Sequence, residues 1–81
     1  MYNLFQEFIV GSKVIKLRPG EEYITLQSLL KVANVIPTGG MVKLFLEENV
    51  VLVNGERENR RGRKLRSGDK VEFEKVVLIV E

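Results

Sequence analysis

Cysteine, histidine and tryptophan are all absent from this 81-residue chain. Without cysteine, no disulfide braces the core and no thiolate holds a metal. Without histidine as well, zinc sites and the Ser-His and Cys-His nucleophile systems are excluded. Long apolar runs are missing too. The longest, Val76 to Val80, falls far short of the roughly 20 residues that cross a bilayer. The opening MYNLFQEFIV lacks a basic start and a long apolar stretch, so it does not read as a secretory leader. The expectation is a soluble, cytoplasmic protein with no membrane segment and no cofactor. Its length predicts a single domain over residues 1–81, and an apolar content of 44% suffices for a core.

What is present is charge, unevenly spread. The formal net charge is only +2. Yet residues 57 to 66 hold six basic groups and one acid, Glu58, for a local net of +5. The rest of the chain carries seven basic groups against ten acids, a net of −3. Like charges so close together repel, and such a block usually has an anionic partner. Arginine outnumbers lysine five to one in it. The planar guanidinium fork matches phosphate in two-point contacts, which solubility alone does not require. Nucleic acid is therefore favoured over an acidic protein surface and over plain solvation.

Along the chain, Glu7 to Val10 and Lys13 to Leu17 read as strands, and Gly11-Ser12 reads as a type II′ turn between them. Tyr23-Ile24 suggests a short strand. Thr25 is a candidate N-cap for a helix from Leu26 to about Val35, ended by Pro37. Leu26, Leu29, Leu30 and Ala33 form its apolar stripe. Thr38 is a candidate cap for a second helix from about Gly39 to Glu48, with Val42, Phe45 and Leu46 inward. Asn49 is expected as its left-handed stop. Val50 to Val53 reads as a buried strand. Asn54-Gly55 signals a hairpin, and the basic segment follows as an irregular or edge-strand return. Ser67-Gly68-Asp69 forms another turn. Lys70 to Phe73, with Val71 and Phe73 inward, and Val76 to Val80 close the sheet. Helices grouped apart from strands predict an α+β domain: a two-helix motif on a small, mostly antiparallel sheet, with an N-terminal hairpin.

The acidic pairs Glu21-Glu22 and Glu47-Glu48 do not suggest acid–base chemistry, because adjacent residues on a helix or strand diverge. They read as solvated surface. Gly39-Gly40 is more informative, since two glycines in a first helical turn cost stability. Close approach of a phosphate explains them. A tight turn, or packing against the first helix, explains them somewhat better, because Gly-Gly alone is a weak motif. Lys43, one turn on, reaches the same anion or is ordinary surface. Of the few aromatic residues, Phe45, Phe73 and Phe8 are claimed by core patterns. Recognition is then expected to read backbone and shape, as in folded RNA, with modest sequence specificity.

Residues 24 to 74 contain VVLVNG at 50 to 55 and LRSGDKV at 65 to 71, downstream of two short helical stretches. At this spacing the segment resembles the S-four RNA-binding domain, named for ribosomal small-subunit protein four. The chain looks like the small stand-alone branch of that family, with residues 1–20 as a hairpin extension. The resemblance implies that RNA lies on the two-helix face and the adjoining strand loop. Thr38, Gly39, Gly40 and Lys43 would then sit near one phosphate cluster. Arg57, Arg60, Arg61, Arg63 and Lys64 would meet the neighbouring backbone, and Asn59 and Arg66 of the same basic run complete the candidate RNA-binding set. Where many members have a Ser-Arg-Ser type start to the second helix, this chain has Thr-Gly-Gly, exchanging an arginine for bare backbone. The expectation is a non-catalytic module for structured RNA, such as ribosomal RNA or a ribosomal particle. It requires the guanidinium groups to reach solvent beside the start of the second helix, and predicts that reversing Arg60 and Arg61 leaves the fold intact. The rival is a protein adaptor whose basic loop docks an acidic surface and whose Val76 to Val80 edge pairs with a partner strand.

Overall fold

The computed structural model describes residues 11–81. Five strands form one sheet in the order β1-β7-β6-β3-β4. They are β1 (Gly11–Ile15), β3 (Leu52–Val53), β4 (Glu56–Arg57), β6 (Lys70–Phe73) and β7 (Val76–Val80). A separate ladder joins β2 (Ile24–Thr25) to β5 (Lys64–Leu65). Helices α1 (Leu26–Val32) and α2 (Val42–Glu48) bury their apolar sides in the same core as the sheet. Every pairing is antiparallel except β1 with β7. The class is α+β, as the grouping of helices and strands predicts.

The apolar stripes behave as their spacing requires. Leu26, Leu29, Leu30 and Ala33 are wholly buried on α1. On α2, Val42, Phe45 and Leu46 face inward, and Phe45 meets Phe73 of β6 edge to face at 5.2 Å. Each such side chain contributes roughly 1.5–3 kcal/mol by leaving water. Val71 and Phe73, and then Val76, Leu78 and Val80, alternate inward along β6 and β7.

Helix ends differ from expectation in instructive ways. Thr25 does cap α1, its Oγ1 accepting the Ser28 N–H at 3.2 Å. The helix stops before Pro37 acts, because Asn34 turns left-handed at φ 60°. The Val35 N–H then reaches back to the Leu30 carbonyl and the Asn34 N–H to that of Lys31, each at 3.0 Å. That is a Schellman ending, with buried Val35 and Leu30 as its apolar partners. Thr38 makes no side-chain cap; Gly39–Met41 forms a 3-10 turn that leads into α2. Nor is Asn49 left-handed: it is extended, and both its N–H and its Nδ2 donate to the Phe45 carbonyl at 3.0 Å. Val50 is exposed, and the strand begins only at Leu52.

At the expected Gly11-Ser12 turn the chain instead joins a strand, although Gly11 does take a positive φ of 97°. Both residues open β1, paired with Val76 and Val77. The other arm of the predicted N-terminal hairpin lies outside the described residues. Strand β7 is flanked by β1 on one side and β6 on the other. Its backbone groups are used in the sheet, so Val76–Val80 is not the open edge on which the adaptor reading relied.

The two diagnostic turns are tied to one another. Asn54 and Gly55 take φ 52° and 86°, the mirror-image turn a two-residue hairpin needs. The Asn54 Nδ2 donates to Asp69 Oδ1 at 3.0 Å, and its Oδ1 accepts the Lys70 N–H at 2.9 Å. Asp69 Oδ2 accepts the Arg66 N–H at 2.7 Å, which, with the Asn54 bond, lowers the Asp69 pKa. Asn54 thus supplies both a left-handed backbone and a bridge to the next turn. Asn54→Gly keeps the former and should lose about 1 kcal/mol of stability. Asn54→Ala loses both and should lose roughly 2–3 kcal/mol. Urea denaturation of the two variants checks this order.

Candidate nucleic-acid interface

The basic segment is organised from its one acid. Glu58 lies opposite Val51, its N–H donating to the Val51 carbonyl at 2.8 Å, and is only 6% exposed. A carboxylate there must be surrounded by donors to stay charged. Arg60 grips it with Nε on Oε2 and Nη2 on Oε1, both at 3.0 Å. Arg63 adds Nη1 on Oε1 at 2.9 Å. The N–H groups of Asn59 and Arg60 close the set on Oε2 at 3.1 Å. The Arg60 side chain holds the Glu58 pKa down at about 2; burial pushes it up, and the Arg60 N–H and Arg63 oppose that rise.

Past Glu58, the loop's backbone is welded to α1. The Leu26 N–H donates to the Arg63 carbonyl at 2.8 Å and the Gln27 N–H to the Arg61 carbonyl at 2.9 Å. Together with the Thr25 cap, these satisfy the first three amides of the helix. Strand β5 then pairs Lys64 with Thr25 and Leu65 with Ile24. Leu65 is fully buried, so strand alternation sends Lys64 and Arg66 outward. Continuing the same register sets Tyr23 beside Arg66. Its ring lies 4.9 Å from the Lys64 Nζ and 5.7 Å from the Arg66 guanidinium.

The start of the second helix reaches this surface through α1. A Cβ on Gly39 would lie 3.2 Å from the Gln27 Nε2 and 3.6 Å from the Lys31 Cδ. Close packing against the first helix therefore accounts for Gly39. A Cβ on Gly40 would meet only the Thr38 Oγ1, at 3.9 Å. Gln27 approaches the Gly39 turn with its side chain, and its N–H binds the Arg61 carbonyl, so one residue of α1 neighbours both turn and loop. Thr38, Gly40 and Lys43 are exposed.

The predicted site residues are thus only partly gathered. Arg61, Lys64 and Arg66 are exposed and form no ion pair among the described residues. Arg60 is 73% exposed and Arg63 35%, but both hold Glu58. Reversing Arg60 therefore changes the loop's internal support as well as its charge. Asn59 is exposed, with its N–H on Glu58. Arg57 stands apart: it pairs with Leu52, opposite Glu72 in turn, on the sheet face away from buried Val53 and Val71.

A model of the S4 domain family matches residues 13–81. The chain belongs to the S4 domain family. A relative from Bacillus subtilis (strain 168), described as "Probable ribosome maturation protein RlbA", is 62% identical over 53 residues. That alignment covers 65% of this chain and 75% of the relative.

Within this S4 domain, two residues escaped the sequence reading. Glu58 was visible as the lone acid of a basic run, and such isolation signals an internal counter-charge. Tyr23 was visible through alternation: Ile24 and Leu65 point inward, so Tyr23 must share the outer row with Lys64 and Arg66. The Glu58 arrangement carries a pH signature. Its folded pKa, about 2, lies below the unfolded value of about 4.3. Its stabilisation is complete above the unfolded value and fades as pH falls towards 2. Glu58→Gln should cost about 1–2 kcal/mol at pH 7, a modest figure because Arg60 stands mostly in solvent. The gap between variant and parent in urea midpoint should close between pH 5 and pH 2, to within roughly the uncertainty of extrapolation.

Proposed function

We propose that this S4 domain is a non-catalytic module that binds structured RNA of the ribosomal kind. Arg61, Lys64 and Arg66 capture the phosphate backbone, aided by the solvent sides of Arg60 and Arg63. The Thr38-Gly39-Gly40 turn and Lys43 meet a neighbouring phosphate on the same flank. Asn59 adds an exposed amide next to Arg60, and Arg57 engages only an RNA that wraps the β3–β4 hairpin.

The observation that carries this reading is the partition of the loop's charge. One acid is drawn inside and consumes part of two arginines. The other cations stand outward on a backbone that α1 prevents from retracting. Preorganised donors lose less freedom on meeting phosphate than a flexible basic tail does. Membership of the S4 domain family supports RNA as the polyanion. The ribosomal target is supported by the relative's description as a ribosome maturation protein. The adaptor reading keeps its basic loop but loses Val76 to Val80 as a second contact.

Contact with about four phosphates gives a slope of log K against log salt near −3 to −4, or on the order of a hundredfold loss between 50 and 200 mM. Arg61→Glu with Lys64→Glu, which spares Glu58's partners, should weaken binding at least tenfold and flatten the slope to about −2. Fluorescence anisotropy with a ribosomal RNA fragment over that salt range reads both quantities, and circular dichroism reports the fold. A folded double variant with the parent's affinity at every salt concentration refutes the assignment.

A further inference from the structure

Among the described residues, Tyr23 is the aromatic side chain left outside the core, since Phe45 and Phe73 are buried. It is 38% exposed. Two cations of the basic surface lean over its ring, Lys64 at 4.9 Å and Arg66 at 5.7 Å from the centroid. Beside it opens a cleft of about 680 Å³, within the range that receives a small organic ligand. Charged groups of both signs border the cleft, Lys16, Arg18 and Lys31 against Glu21 and Glu22, so its basic groups outnumber its acids by one.

We infer that Tyr23 is a stacking platform for one unpaired base of the bound RNA, with Lys64 and Arg66 turning from the ring to the flanking phosphates. This rests on the RNA-binding reading and adds a recognition element to it. The exchange is favourable in magnitude. Releasing an exposed cation from an aromatic face forfeits a factor of roughly 2–5 in affinity. Stacking a base on that face returns roughly 5- to 150-fold, and the freed cation gains a phosphate. The cleft gives the displaced base somewhere to lie, and the register of β2 with β5 keeps ring and cations in one row. A structural role alone, in which the ring props the two cations upright, makes a different prediction. It serves paired and unpaired RNA alike.

Two hairpin RNAs with a common end label decide the matter, one fully paired and one carrying a single bulged 2-aminopurine. The expected result is a preference of about tenfold for the bulged RNA, with a change in 2-aminopurine emission on binding. Tyr23→Leu, which keeps bulk without the π face, should shrink the preference to within about twofold and abolish the emission change, weakening the bulged RNA far more than the paired one. Tyr23→Phe should retain both signals. Equal weakening of both RNAs by Tyr23→Leu overturns the platform, as does a parent protein that binds the two equally. If the parent binds neither RNA, the RNA-binding reading itself fails and the platform falls with it.

Discussion

The arrangement depends on the carboxylate of Glu58 staying charged in a nearly closed site. Six cations within ten residues repel one another, and an exposed loop of that kind has no reason to keep one shape. Burying the single acid reverses the problem. Its two oxygens collect three guanidinium contacts and two backbone amides. Desolvation alone would favour the neutral acid, yet these donors outweigh it. The loop turns because the chain must bring Asn59, Arg60 and Arg63 back around one point.

That local solution propagates into the fold. The carbonyls of Arg61 and Arg63 replace water at the first amides of α1. Helix start and basic surface are therefore one mechanical unit, and neither moves without breaking hydrogen bonds of the other. Gln27 extends the unit to the Gly39 turn, where a side chain on the glycine would press on it. A second clamp, between Asn54 and the Asp69-Lys70 peptide, fixes the far end of the loop. Both ends of the basic segment are thus anchored to turns or helices, while Arg61, Lys64 and Arg66 remain outward. For a polyanion this is a preformed surface whose ordering cost is met by folding.

The same geometry refines what the scarcity of aromatic residues implies. With Phe45 and Phe73 in the core, backbone and shape readout follows from composition. One ring, Tyr23, nevertheless stands in the cationic row. On the proposed reading, the domain combines phosphate capture with a single place for an unpaired base. Arg57, carried to the opposite sheet face by one residue of alternation, illustrates how little separates a gathered charge from a dispersed one.

Much of the fold was legible because it follows from short-range rules. The stripe Leu26, Leu29, Leu30, Ala33 needs only helical spacing, and Asn54-Gly55 needs only a tolerance of positive φ. The ends of α1 and α2 were misjudged where local signals compete. Asn34 stopped α1 before Pro37, and a 3-10 turn over Gly39–Met41 stands where a Thr38 cap was expected. Charge excess at residues 57–66, and with it the expectation of an anionic partner, came from composition alone. Which of those cations are free was decided by tertiary structure. Glu58's partners, Tyr23's neighbours and the interior position of β7 depend on pairings between segments distant in sequence, and no local propensity encodes a distance across the fold.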